Sequence, residues 1–440
     1  MRVVVVGAGI AGIVAATELQ AGGADVVVLE ASTRLGGRAR TVRDVFAGGQ
    51  YVESGAEWID TDHERMLRLI AEHGMSLLGA GETWTMIRRM LFRSGRLFGR
   101  AEIAELDPHL DEQLGRYEEV LEDIGRGIVD PARPQDHPQA LEHDARSLAD
   151  VAVTAELGSL AQLFQRRNSQ GEFAEEPGLV SSLFVAQQRA QMAKFHDGGV
   201  RAHRLDGGLD TLIGRMAAGL REGTIRCGEA VHEVRWDHHG VEVVTDRGVD
   251  VADRVVLACS LVAVRSMRFD PPLPGPLARA VAELGYGTVT KTATQFDRRT
   301  WPAGYATTES VAQRAYEPTI DQPGTHGVLM SYAGGDGGRA LADLPEHDRR
   351  AIVLDDLRSM YGDLGEVTGG FSRAWSSEPR YGGSYAVYRP GQVTAHWQVL
   401  RDPCGPIHLA GEHVATWTGY LEGAAETGER VARRLLGADA

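Results

Sequence analysis

The sequence predicts an α/β fold of two domains, one of them a Rossmann-type dinucleotide-binding domain that the chain leaves and re-enters. Three observations predict it. The chain opens on a β-branched strand, a glycine-rich turn, a helix and a second strand ending in an acid. A long helical stretch then interrupts this pattern, and short strands resume after it. Finally, 440 residues exceed what a single hydrophobic core usually organises.

The first element is Arg2–Val6, a run of β-branched residues typical of a buried parallel strand. It meets "GAGIAG", with Gly7, Gly9 and Gly12 in G-x-G-x-x-G spacing. Gly7 permits the tight turn, Gly9 lets a pyrophosphate approach the backbone, and Gly12 lets helix and strand pack closely. The helix spans roughly 10–20, and its N-terminus, with Ile10 and Ala11, offers N–H groups to phosphate. The second strand, "DVVVLE", ends at Glu30, 18 residues past Gly12, where a carboxylate takes ribose hydroxyls; Ala31 adjoins it. Then "EASTRLGGRARTV" adds Arg34, Gly36, Gly37 and Arg38. A nicotinamide enzyme has no use for this second glycine pair. It resembles the G-G motif of the two-dinucleotide-binding-domain flavoproteins, which implies FAD.

Composition narrows the partners. Apolar residues make up 43% and charged residues 24%, as in ordinary globular proteins. A net charge of −15 argues against nucleic acid, whose phosphates need a basic surface. Three scattered cysteines, Cys227, Cys259 and Cys404, make neither a disulfide framework nor a zinc site. No metal is expected. No signal segment opens the chain, and no apolar run reaches the ~20 residues that span a bilayer. A cytoplasmic location and no membrane partner are the expectation. A homodimer is allowed, although nothing in the sequence specifies the oligomeric state.

Further along, "YVESGAEWID" precedes a helix over 63–73. Leu110, Leu114, Tyr117, Leu121 and Ile124 follow helical spacing, "DPARPQDHP" is a proline-rich loop, and helices continue to about residue 195. "RLDGGLDTLIGRMAAGL" sets two glycines ahead of an amphipathic helix. Strands at "EAVHEVRW", "GVEVVT" and "DRVVLACS" then signal a return to the first domain. A second excursion, about 286–385, contains "GTVTKTATQF". This strand carries Lys291 on the face of Val289 and Ala293. Of 46 basic residues only Lys194 and Lys291 are lysine, so a lysine in mid-strand is conspicuous. "GPIHLAGEH" and "GYLEGAAETGERVARRLL" close the chain as strand and helix.

These segments together resemble the flavin-containing amine oxidases, most densely at 2–60, 284–296 and 375–436. The resemblance implies an FAD domain from 1–75, 203–285 and 386–440, and a mixed-sheet and helical substrate domain from 76–202 and 286–385. It implies that Lys291 holds a water against flavin N5, a task for a compact ammonium rather than a broad guanidinium. Tyr385 and Tyr420 become the aromatic pair flanking the amine. Trp375 lies beside the flavin. Gly55, Ala56, Glu57 and Trp58 line the ring, and Val231 meets the adenine half. Gly411, Glu412, Gly419, Tyr420 and Leu421 carry the final helix N-terminus to the flavin's carbonyl edge. Asp60 falls where polyamine-type relatives place an acid or histidine near a cationic substrate.

Two departures from the family pattern shape the reading. Ser384 stands where animal monoamine oxidases carry the cysteine bonded to flavin, so FAD is expected noncovalently. Trp58 replaces the arginine that amino-acid-oxidising relatives use, which weakens that alternative. The expected activity is oxidation of an amine C–N bond by hydride transfer to flavin, with dioxygen reduced to hydrogen peroxide. The alternatives are a biosynthetic oxidase whose iminium product cyclises, an L-amino-acid oxidase, a desaturase of the wider superfamily, and a noncatalytic flavin-binding scaffold. The arginine-rich composition suggests a GC-rich bacterial source.

Overall fold

The strand Arg2–Val6 lies at the centre of a parallel sheet in the order Ile225–Cys227, Asp25–Glu30, Arg2–Val6, Arg254–Leu257, Ile407–Leu409. This is a computed structural model, and it describes residues 1–82, 89–195 and 201–437. The helix Ile10–Ala21 packs on that sheet and is buried around most of its circumference. Its partner is the last helix, Leu421–Leu435. A Cβ on Gly428 would stand 2.5 Å from Ala11 O, so only glycine lets the two backbones come this close. The first and last helices of the described chain therefore pack as one layer on this sheet.

The strands expected to return to the first domain divide between two sheets. Arg254–Leu257, apolar on both faces, joins the parallel sheet. Val231–Trp236, Val241–Thr245 and Gly248–Ala252 form a separate meander with Arg268–Asp270. Val241–Thr245 alternates buried and less buried residues, the pattern of an antiparallel sheet with one wet face. Alternation against a continuous apolar run is what sorts them.

The other large sheet has seven strands in the order Val367–Ala374, Val289–Phe296, Gly327–Gly334, Arg314–Tyr316, Tyr305–Thr308, Arg89–Arg93, Arg96–Phe98. Only the pair Tyr305–Thr308 and Arg89–Arg93 is parallel, so the sheet is mixed. Val289–Phe296 is paired along both edges and buried at every residue. Helices Leu110–Arg126, Ser159–Glu172 and Ser182–Met192 pack together beside this sheet. The expected helix over 63–73 is Glu64–Glu72, and Leu209–Ala218 follows Gly207 and Gly208, both at φ +78. No helix among the described residues is long and apolar enough to cross a membrane.

Candidate active site

The glycine-rich turn is built as its spacing requires. A Cβ on Gly7, at φ +108, would stand 2.9 Å from Ala258 O, and one on Gly12 would stand 2.0 Å from Gly7 O. Gly9 differs, because a Cβ there meets nothing within 4 Å. Gly37 borders the same open space: its Cβ would stand 3.8 Å from Gly9 Cα. Arg34 donates to Leu35 O and Gly37 O, and neither it nor Arg40 has a carboxylate within 4.0 Å among the described residues. Glu30 accepts from Ala8 N and Ser32 N, each at 2.8 Å, and keeps lone pairs for further donors. Glu229 N donates to Glu30 O at 2.9 Å, which brings the start of the Val231 strand beside this acid. Arg34, without a carboxylate partner among the described residues and bonded to Gly37 O beside open glycine backbone, fits a dinucleotide diphosphate.

Glu412 ties the next layer together. Its buried carboxylate accepts from Arg38 Nη1 at 2.7 Å, Gly419 N at 3.1 Å and Ala386 N at 3.2 Å. Arg38 also donates to Ser384 O at 2.8 Å. One acid thus fixes the backbones that carry Tyr385 and Tyr420. Gly411, at φ +137, donates to Thr427 Oγ1, and Tyr420 precedes the helix at Leu421 with no side chain capping its first turn. Trp375 Nε1 donates to Ser54 O at 2.8 Å, and Ala56 N donates to Arg38 O at 3.2 Å. A Cβ on Gly55 would stand 1.8 Å from Arg38 O and 2.9 Å from Trp375 Cζ2. The "SGAEW" segment is small there because this packing leaves no room for a side chain.

Lys291 is 3% exposed and its ammonium has three acceptors. They are Glu57 Oε2 at 2.7 Å, Gly55 O at 2.9 Å and Glu53 O at 3.3 Å. The longest, to Glu53 O, is the weakest and the one a water could replace most cheaply. Glu57 Oε2 also accepts from Tyr316 OH at 2.6 Å, and Oε1 accepts from Arg204 Nε at 2.8 Å. Burial pushes the Glu57 carboxyl up, but Lys291 and Arg204 more than reverse that and hold it down to about 2. Nearby Glu53, buried and next to Glu57, is pushed up to about 7.

Tyr332 pairs with Lys291 across the ladder. Its hydroxyl lies 2.9 Å from that of Tyr385, which donates to Gly171 O at 3.2 Å. Gly419, at φ +90, lies against Tyr385, since a Cβ on it would stand 3.3 Å from Tyr385 Cδ2, and the next residue, Tyr420, is near enough to act electrostatically on the Tyr385 phenol. Behind Tyr420 stand His63 and Trp417, with ring centroids at 5.3 and 5.6 Å. Trp58 lies 6.2 Å from Tyr316, and the Arg204 guanidinium stacks 4.0 Å over it. Burial pushes the phenols of Tyr316, Tyr385 and Tyr420 up, so all three are neutral walls.

Asp60 is mostly buried near Tyr420, and burial, then Asp62 and Glu172, push its carboxyl up to about 7. Asp60, Asp62 and His63 are close enough to share a cation. The amide of Asp60, however, donates to His63 Nδ1 at 3.0 Å, and burial holds the ring down to about 3, so it is neutral with its proton on Nε2. An N–H, not a lone pair, faces Asp60 Oδ2 at 3.7 Å. This is not a ligand set. Ser384 Oγ donates to Gly287 O at 2.9 Å, and Lys194 is exposed.

Fold and site define the class: a dinucleotide-binding oxidoreductase with a buried lysine beneath an aromatic wall. The model of the flavin containing amine oxidoreductases matches residues 10–436, and the chain belongs to that family, whose cofactor is FAD. It is 28% identical to human amine oxidase [flavin-containing] B, over 99% of this chain and 86% of that one. It is also 28% identical to the flavin-dependent L-tryptophan oxidase of Lentzea aerocolonigenes, over 100% and 98% of the two chains. The fold matches cyclohexylamine oxidase from Brevibacterium oxydans with a TM-score of 0.88 at 22% identity, covering 99% of each chain.

Sequence reasoning missed Tyr332, Tyr316, Arg204 and His63. A strand alternation places Tyr332 on a face, but only the ladder register sets it opposite Lys291. Arg204 and Glu57 are 147 residues apart, and nothing local joins them.

Proposed function

We propose that this chain oxidises the carbon–nitrogen bond of a small amine, with Lys291, Tyr385 and Tyr420 around the reacting centre. The observation that carries the reading is the continuous path from Lys291 through Tyr332 to Tyr385, with Tyr420 held beside Tyr385. FAD, when bound, would supply a two-electron acceptor for hydride from the amine's α-carbon, with dioxygen as the final acceptor and hydrogen peroxide as the product.

The protein's own residues prepare the amine. Tyr385 and Tyr420 present π-faces that orient nitrogen, and their rings exclude water. The amine must react unprotonated, and removing a proton of pKa near 10 at pH 7 costs roughly 4 kcal/mol, which a desolvated site partly offsets. Asp60, near Tyr420 and raised to about 7, would attract an incoming ammonium and accept its proton. When FAD is bound, Gly7, Gly9, Gly12, Glu30, Arg34, Gly37 and Arg38 would hold the dinucleotide. With Ser384 in place of a thiol and its hydroxyl bonded to Gly287 O, FAD is held noncovalently.

Lys291→Met tests the mechanism. Stopped-flow reoxidation of the reduced enzyme by dioxygen should slow at least tenfold. Unchanged reduction and reoxidation rates would remove Lys291 from the reaction.

A further inference from the structure

The sheet that carries Lys291 also carries an arginine cluster that the amine reaction does not use. Ala315 pairs with Ser331, so Arg314 stands at the strand end opposite Tyr332, which pairs in turn with Lys291. Arg314 is therefore two strand spacings, about 10 Å, from the lysine. Beyond it, Thr307 pairs with Arg314 and Tyr305 with Arg89. Arg167, on the helix Ser159–Glu172, is buried against the same strands and donates to Thr308 O at 2.9 Å and Gln170 Oε1 at 2.6 Å.

Among the described residues, Arg89, Arg167 and Arg314 have no carboxylate within 4.0 Å. The acids around them are occupied: Glu176 pairs with Arg166 at 2.8 Å, Glu309 with Arg93 at 3.3 Å, and Glu172 with Arg189 at 2.8 Å. Burial, with Arg166 also near, holds Arg167 down to about 10. Burial pushes Tyr305 up, yet Arg314, a hydrogen bond to Thr307 and Arg89 together pull it below its usual value. Among the described residues, no carboxylate pairs with this cluster, and the region is positive. Partly buried arginines cannot shed their protons, so such a cluster is costly unless an anion meets it.

Arg314 is the member that faces the aromatic wall. It is only partly buried, as are Tyr332 and Tyr385. Nη2 donates to Asn168 Oδ1 at 3.0 Å, Nε is buried without an acceptor, and Nη1 has none among the described residues. Nη1 lies 1.6 Å from where a Cβ on Gly171 would stand, and Gly171 O is the acceptor for Tyr385 OH. A glycine inside a helix costs about 1 kcal/mol relative to alanine. Here it leaves the space that the guanidinium fills.

We propose that Arg314, supported by Arg167 and Arg89, is a specificity-determining subsite for a carboxylate carried by the amine substrate. The carboxylate lies several bonds from the reacting carbon, not on it, because the subsite is about 10 Å from Lys291. This rests on the amine-oxidase reading. It is independent of Trp58, which stands on a different segment and stacks on Arg204.

The test separates the subsite from the chemistry by using probes without an amine. Binding of 4-(hydroxymethyl)benzoate and of neutral 4-methylbenzyl alcohol to the holoenzyme is followed by perturbation of the flavin's visible spectrum. The wild type should bind the carboxylate at least about tenfold more tightly, as expected for a charge-assisted bidentate contact. Arg314→Gln should abolish that preference, Arg314→Lys should keep part of it, and Gly171→Ala should weaken it by displacing an unchanged arginine. A carboxylate that binds no better than the alcohol, including no binding of either, overturns the proposal; so does a preference that survives Arg314→Gln. Failure of every amine to bleach the flavin anaerobically would instead overturn the amine-oxidase reading.

Discussion

Among the described residues, Glu57 is the acid that Lys291 and Arg204 share, and replacing it by Gln removes that charge. Both cations then remain buried, at contacts now 2.7 and 2.8 Å long, against a neutral amide. Two routes give the size of the loss. Breaking a buried ion pair by deleting one partner costs about 3–5 kcal/mol. The carboxyl's fall from 4.5 to about 2 on folding corresponds, at ~1.36 kcal/mol per pH unit, to about 3 kcal/mol. The sign follows from the depressed value: this stability is fully present above pH 4.5 and is lost as pH falls towards 2. Urea unfolding at pH 7 should therefore show Glu57→Gln destabilised by about 3 kcal/mol, with a correspondingly flatter loss of stability below pH 4.5. A variant within ~0.5 kcal/mol of wild type, with the same acid limb, would refute the claim that Glu57 is the counter-charge.

Glu53 carries the opposite sign. Its carboxyl is raised from 4.5 to about 7 by burial, so ionisation opposes folding as pH rises through that range. Glu53→Gln should remove the decline, and unfolding curves at pH 5 and pH 8 should then nearly coincide for this contribution. Asp60→Asn should abolish a titration near pH 7 in kcat/KM for cationic amines and raise KM several-fold above that pH, where the wild-type acid is charged. Glu412→Gln should lower FAD content in the purified protein and raise KM, because Arg38, Gly419 N and Ala386 N all lose their shared carboxylate.

The parts of the site that local chemistry dictates were legible in the sequence. Gly7 and Gly12 are readable because a tight turn and a close helix–strand contact admit no side chain: a Cβ would stand 2.9 Å from Ala258 O at Gly7 and 2.0 Å from Gly7 O at Gly12. Lys291 was readable because lysine is rare in this chain and a buried strand is a costly place for a charge. Its three acceptors were not, since they come from a segment more than 230 residues away. Tyr332 and Arg314 share that limit: alternation says which face a residue takes, but pairing register decides its neighbour. The donors that meet the Glu412 carboxylate, Arg38 Nη1, Ala386 N and Gly419 N, are joined by nothing local: Arg38 lies 374 residues away.

The most direct test of the account is an anaerobic titration of the purified yellow holoenzyme with primary and secondary amines, some bearing a distal carboxylate, and with the matching alcohols. Amines should bleach the visible flavin band, alcohols should not, and admitting oxygen should restore the colour with one peroxide per flavin. A protein that binds no FAD, or whose flavin stays oxidised with every amine tried, would contradict it.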